Sequence, residues 1–243
     1  MVTKRSETKS TLLQQTFPDL VSVHDDNQEI LDQADIVFLC VLPEQASDVL
    51  QNLEFDSSRH QLVSMVSTST LADLERDSKL PKDNVAKMIC LPSVAFHTGV
   101  CLYCTPTPNP FLTQLFESLG GCVSLETEDQ LEKCMISTCL QGPLFGIMRQ
   151  NRDWLVETAG LSLEKATYLV SKQYQGMVQD VDRRPPTATR LDDLVAEQTP
   201  GGLNEQTLAN LDTMGVLNAY GKAMDAVLSR VQGRSDGSLP TEE

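Results

Sequence analysis

Residues 34–45 read Ala34-Asp35-Ile36-Val37-Phe38-Leu39-Cys40-Val41-Leu42-Pro43-Glu44-Gln45, and this stretch decides the fold. Its unbroken apolar part, Ile36 to Leu42, is far shorter than the roughly 20 residues that span a bilayer. Bounded by Pro43, it reads as a buried strand, and the residues after it, 44–53, read as a helix. Upstream, residues 7–17 are helix-like, 2–3 could end a strand, and 21–23 form a short strand candidate. Downstream come a strand over 61–66, a helix over 71–77, and strands over 85–90 and 100–104. A helix with an apolar face follows over 111–119, closed by Gly120-Gly121, where glycine takes the left-handed cap conformation. Strands separated by such helices imply a parallel sheet with crossover helices, an α/β domain of nucleotide-binding type.

The period changes after Leu125. Leu131, Cys134, Met135, Leu144, Ile147, Met148, Leu155 and Leu169 recur at helical spacing, which implies two helices meeting near Gly160, the first kinked at Pro143. Arg183-Arg184-Pro185-Pro186 breaks the chain before a helix near 191–197. Thr199-Pro200-Gly201-Gly202 is a turn, and a last helix runs over 205–231 with an interruption at Gly215. The expected domains are 1–125 (α/β), 126–232 (helical) and a disordered tail, 233–243.

With 19 Lys and Arg against 34 Asp and Glu the formal charge is -15, which disfavours nucleic acid and anionic membrane surfaces as partners. The basic start, Met1 to Ser6, is followed too soon by Glu7, Asp19, Asp25 and Asp26 to be a transit peptide. Seven scattered cysteines in a chain of this length fit reduced thiols in a cytoplasmic compartment.

Several motifs, in order, resemble those of pyrroline-5-carboxylate reductases. Val2-Thr3-Lys4-Arg5-Ser6 is similar to that family's second strand and its Asn-Arg-Ser/Thr end. Ala34 to Val37 with Val41-Leu42-Pro43-Glu44-Gln45 is similar to its Asp-Val-Val and Val-Lys-Pro-Gln segment. Leu62-Val63-Ser64 and Leu71-Ala72-Asp73-Leu74-Glu75 match the next strand and helix. In the helical half, Gln141-Gly142-Pro143 resembles the Gly-Ser-Gly-Pro-Ala kink, Ala159-Gly160-Leu161 with Ala166 the Gly-Leu step, and Thr199-Pro200-Gly201-Gly202 the Pro-Gly-Gly-Thr-Thr turn.

The resemblance implies a truncated Rossmann-type parallel-sheet domain followed by an all-α dimerisation domain. It implies an oxidoreductase of the proline-biosynthesis type, passing hydride from the reduced form of NADP, or alternatively of NAD, to a small cyclic imine acid, and working as a homodimer or higher homo-oligomer. Departures stand against it, among them Asn204 where the family's second turn threonine would bond the substrate. The family's first strand and Gly-x-Gly-x-x-Gly loop, whose amides hold the pyrophosphate, have no counterpart in these residues. Leu91 stands where the family has asparagine, and Leu42 where it has lysine. A non-catalytic dimeric relative, and a truncated gene model of an active reductase, therefore stay open beside the reductase.

Imine reduction needs a positioned hydride donor and no strong catalytic acid, because the nitrogen can take its proton from water. Thr199, Gly201, Gly202 and Asn204, at a turn that opens a helix, are the candidate substrate groups, set against an ordinary Pro-Gly-Gly turn capped by Asn204. Lys4, Arg5 and Ser6 stand where basic groups read a 2'-phosphate, and Val41, Leu42 and Pro43 would cover the nicotinamide-ribose side. Cys101 and Cys104 have metal-like spacing, but strand alternation sends them to opposite faces, so no metal site is expected. His24, His60 and His97 read as surface or satisfied polar residues, His97 being also a candidate for a pocket rim. Glu126, Glu128, Asp129 and Glu132 read as a solvated first helical turn.

Overall fold

The computed structural model describes residues 1–183 and 185–239. Two compact units result, Met1–Met135 and Ile136–Glu243. In the first, β1 (Val2–Thr3), α1 (Glu7–Thr16), β2 (Val23–His24) and α2 (Asn27–Gln33) lead into β3 (Ile36–Leu39), α3 (Pro43–Gln51), β4 (Gln61–Ser64) and α4 (Leu71–Ser78). There follow β5 (Val85–Cys90), β6 (Cys101–Cys104), α5 (Pro110–Ser118), β7 (Cys122–Leu125) and α6 (Glu128–Thr138). Pro43 sits in the first turn of α3, where its missing N–H has no intrahelical partner to lose. Thr70 and Asp73 close a capping box at the start of α4.

The strands form two sheets. One is the short parallel pair β1–β2, the other a five-stranded sheet in the order β3-β4-β5-β6-β7. Its first three strands are parallel, as expected, but β6 runs antiparallel to β5, with Cys90 opposite Cys101. The connection explains the reversal: only residues 91–100, with a 3-10 turn over Pro92–Phe96, lie between these strands, too few for the crossover that a parallel return demands. His97 turns the corner with φ 55, a left-handed conformation that is uncommon outside glycine.

Leu39, Leu50, Leu62, Leu74 and Val85 form the core on one face of this sheet, and Val63, Met88, Tyr103, Leu112 and Phe116 that on the other. A third cluster joins Leu131 of α6 to Leu102 and Cys104. That packing ties the first part of α6 to the sheet, so the division between units falls after the expected 125/126 boundary. Two elements, α2 and β7, stand where the sequence reading has none.

The second unit contains α7 (Gln141–Ala159), α8 (Leu163–Arg183), α9 (Arg190–Ala196), α10 (Leu203–Thr213) and α11 (Val216–Val231). Helices α7 and α8 make a hairpin through Gly160, whose φ is 64, and Asn151 donates to the Tyr174 hydroxyl across it at 2.8 Å. Three helices, not two, cover 128–183. Pro143 therefore falls in the first turn of α7, where no kink is needed. Gly215, φ 73, interrupts the last helical stretch where expected. Arg184 and residues 240–243, on which part of the expected break and tail fall, lie outside the described residues. No described helix is long and apolar enough to cross a membrane.

Candidate functional site

Open α/β sheets bind ligands beyond the carboxyl ends of their strands. At the end of β1 the Lys4 amide donates to the His24 carbonyl at 2.9 Å, and the Lys4 ammonium lies 3.6 Å from Asp25 with both groups exposed. Arg5 is exposed. Ser6 is the N-cap of α1 and its hydroxyl caps no amide. Strand, basic turn and helix start thus follow one another directly over Val2-Thr3-Lys4-Arg5-Ser6-Glu7.

Beyond β3, Val41 packs on the core while Leu42 is 54% exposed. Pro43 also borders a cavity of about 270 Å³ between α3 and α4, lined by Ser47, Thr68, Ser69, Asp73 and Arg76. Arg76 is committed there: Nε and one terminal nitrogen hold both oxygens of buried Asp77 at 2.9 and 3.1 Å, and the other holds Asp73 at 2.7 Å.

A row of sulfur atoms that sequence reading leaves unassembled crosses the same end of the sheet. The Cys40 thiol lies 3.3 Å from the Met65 thioether, Cys90 faces Cys101, and Cys101 faces Cys122. The only linear signal is that Cys90, Cys101 and Cys122 each begin or end a strand. Because β6 reverses, strand starts and strand ends meet at one edge. Burial raises the thiol pKa of Cys40, Cys90 and Cys122 and pushes Cys101 up to about 11. These are protonated thiols at neutral pH, which are poor nucleophiles. Cys101 and Cys104 belong to the cores on opposite faces, and among the described residues no group of His, Cys, Asp or Glu is arranged to hold a metal.

In the second unit, the Gly202 amide donates to the Thr199 carbonyl at 2.8 Å, closing the turn. Gly201 has φ 69, and its amide donates to the Glu205 carboxylate at 2.6 Å. A Cβ at Gly202 would meet the Thr199 oxygen at 2.8 Å, so the turn needs glycine at both positions. Gly202 is the N-cap of α10, and the next amides, of Leu203 and Asn204, have no intrahelical acceptor. Asn204 does not cap the helix; its amide side chain donates to Gln198 at 3.0 Å. The turn thus brings Thr199, Gly201, Gly202 and Asn204 together, while Lys4, Arg5, Ser6, Val41, Leu42 and Pro43 belong to the first unit.

Two other expectations resolve clearly. His60 is 2% exposed and satisfied, its Nδ1 accepting from the Asp56 amide at 2.9 Å and its Nε2 lying 2.9 Å from Arg59. His97 Nδ1 lies 2.8 Å from the Ser118 carbonyl oxygen. Glu128 departs from the solvated-turn reading: it accepts from the ammonium of Lys87, which is 5% exposed, and from the Leu71 amide, both at 2.9 Å.

An α/β sheet unit followed by an all-helical unit defines a two-part class in which the first part has nucleotide-binding architecture. Within that class the chain has the fold of pyrroline-5-carboxylate reductases. It aligns with the enzyme of Coxiella burnetii at TM-score 0.77 and 21% identity, over 96% of this chain and 87% of that one. With 1-pyrroline-5-carboxylate reductase of Streptococcus pyogenes the TM-score is 0.73 at 16% identity, over 96% and 88%. With Plasmodium falciparum pyrroline carboxylate reductase, solved with NADP bound, it is 0.71 at 21%, over 90% and 83%. The family described as NADP oxidoreductase, coenzyme F420-dependent, matches residues 1–68. A search of curated proteins by sequence finds no match.

Proposed function

We propose that the chain is an NAD(P)H-dependent reductase of the pyrroline-5-carboxylate reductase type, acting on a small cyclic imine acid. The observation that carries this reading is the fold match to such reductases over almost the whole chain, both units included. A reductive aminase of Aspergillus terreus, solved with NADPH and ethyl levulinate, has TM-score 0.52 to this chain and supports a carbonyl or imine carbon as the acceptor class.

Residues 1–125 would hold the nicotinamide cofactor, which when bound supplies the hydride, and 126–232 would carry the substrate groups and the dimer contacts. The fit is partial. Lys4 and Arg5 beside the free Ser6 hydroxyl suit an adenosine 2'-phosphate and so favour NADP over NAD. Val41, exposed Leu42 and Pro43 suit the apolar side of the nicotinamide. The 243 residues contain no Gly-x-Gly-x-x-Gly to cradle the pyrophosphate. On the substrate side, the Leu203 and Asn204 amides at the start of α10, with the Thr199 hydroxyl, suit a carboxylate. Gly201 and Gly202 keep the turn in the shape that presents them.

The second unit supports a homodimer. Among its described residues only Ile136, Ala166 and Val170 of the apolar side chains are buried, while Trp154 (57%), Tyr168 (68%), Met177 (61%) and Val178 (62%) are exposed. An apolar surface of this kind marks an association face. Light scattering at about 10 µM should give twice the mass of the chain, and a monomer there refutes the dimer.

Titration with NADPH, followed by cofactor fluorescence, tests the reductase reading together with turnover of pyrroline-5-carboxylate. Saturation at concentrations on the order of micromolar is expected. The unjoined β1–β2 and β3–β7 sheets favour a second reading, a dimeric relative that no longer binds cofactor, and absence of saturable binding would decide for it.

A further inference from the structure

Strand β2 and helix α2 bring together three side chains that the reductase reading does not use. Side chains two residues apart on a strand share a face. Ser22, just before β2, and His24, within it, therefore stand side by side, with the Ser22 hydroxyl 3.0 Å from His24 Nε2. Across the ring, Nδ1 lies 3.3 Å from the carboxylate of Glu29 in α2. His24 thus departs from a plain surface role: its side chain is 15% exposed, set between Glu29 and an exposed Ser22.

The order of these groups places a proton. An ionised carboxylate only accepts, so Glu29 holds the imidazole in the tautomer with hydrogen on Nδ1, and Nε2 is left to accept from the Ser22 hydroxyl. Hydroxyl, base and orienting carboxylate in this sequence make serine a nucleophile. The backbone adds a donor. Val2 and Lys4 donate to the Ser22 and His24 carbonyls, both at 2.9 Å, which turns those groups toward β1, and alternation along the strand directs the Val23 N–H to the other edge. The N–H directly after a nucleophilic serine is one of the two that receive the oxyanion in α/β-hydrolases.

We propose that Ser22, His24 and Glu29 form an acyl-transfer site that hydrolyses small uncharged esters, an activity separate from the reductase. Ser22 Oγ attacks the carbonyl carbon while its proton passes to His24 Nε2. The bond from that carbon to the alkoxy oxygen breaks, and the leaving alcohol takes the proton. Water then attacks the acyl-serine and gives a proton to Nε2, which returns it to Oγ as the acid leaves. Ser22 and His24 are the catalytic residues, and Glu29 positions the ring. Lys4 offsets Asp25 at 3.6 Å, but Asp26 and Glu29 keep the surroundings acidic, which disfavours an anionic ester.

The probe is p-nitrophenyl acetate at about 1 mM, with the full chain. Nitrophenol should be released, and peptide mapping by mass spectrometry should find the acetyl group on Ser22. Ser22→Ala removes that adduct. His24→Gln keeps the hydroxyl and should slow Ser22 acetylation about a hundredfold. Glu29→Gln should slow it on the order of tenfold, less than in a buried triad because Glu29 is 56% exposed. It should also move the His24 proton from Nδ1 toward Nε2 in nitrogen-15 NMR spectra, a change that a merely structural glutamate would not produce. Absence of acetyl-Ser22, acetyl on His24 in its place, equal Ser22 acetylation in His24→Gln, or a His24 proton already on Nε2 in the unaltered chain would each overturn the proposal. The adduct map and the tautomer are read on the unaltered chain, so they stand whether or not a variant folds.

Discussion

Replacing Glu128 by alanine should destabilise the first unit more than any other single change on its surface. Lys87 is 5% exposed, and its ammonium has two partners, the Glu128 carboxylate at 2.9 Å and the Ser67 carbonyl at 3.3 Å. Removing one member of a buried ion pair costs about 3–5 kcal/mol, because a charge is left without compensation. The Glu128 side chain is 32% exposed, so water reaches the vacated position and reduces that penalty. The Leu71 amide at the start of α4 also loses its acceptor, which adds about 1 kcal/mol. The sum is about 2–4 kcal/mol. Lys87→Met alone should cost less, since Glu128 keeps Leu71 and its access to water, and adding Lys87→Met to Glu128→Ala should recover part of the loss. Exchange of the Ala86 and Met88 amides, buried on the middle strand of the sheet, measures each variant. A loss below about 1 kcal/mol for Glu128→Ala, or no recovery in the double variant, would refute the claim that an uncompensated lysine carries the effect.

Hydrogen bonds from Thr70 and then Arg76 hold the Asp73 carboxyl below its ordinary range, and Arg76 holds Asp77 there. Their contribution to stability is therefore complete above the unfolded value of about 3.9 and fades as pH falls through the lower folded values; in acid melts Asp77→Asn should flatten that decline. Cys101, 0% exposed with its thiol pushed up to about 11, should resist a disulfide reagent at pH 7 until urea opens the sheet, whereas exposed Cys139 labels at once. Gly202→Ala, which brings a Cβ within 2.8 Å of the Thr199 oxygen, should cost about 1–3 kcal/mol in thermal melts and weaken substrate binding. Paired Tyr168→Glu and Val178→Glu changes should shift the light-scattering mass to that of a single chain.

How far the sequence can be read depends on the range of the forces involved. Strand β3 and helix α3 are legible because a continuous apolar run and Pro43 are local signals, and Gly160 and Gly215 mark helix ends through a backbone conformation that side chains disfavour. Helix α2 escapes because Asn27–Gln33 offers only Ile30 and Leu31 as an apolar stripe, and β7 because Cys122–Leu125 is short and half exposed. The reversal of β6 is hidden in the length of a connection. Lys87 and Glu128 lie 41 residues apart, so nothing local marks one member of the acidic run before Leu131 as the partner of a buried lysine. The sulfur row is invisible for the same reason. At the Pro-Gly-Gly turn the residue types are readable, but the partner of Asn204 is not: a capping role is the simpler reading, and Gln198 takes the side chain instead.

The scarcity of buried apolar residues in the helical unit has a consequence for handling the protein. If its helices α7 to α11 are held by a second copy, their stability contains the logarithm of protein concentration. Dilution alone would then loosen those helices, with no heat or urea added, while the sheet unit with its own cores would keep its structure. Helix content measured over a dilution series would separate the two units without cutting the chain.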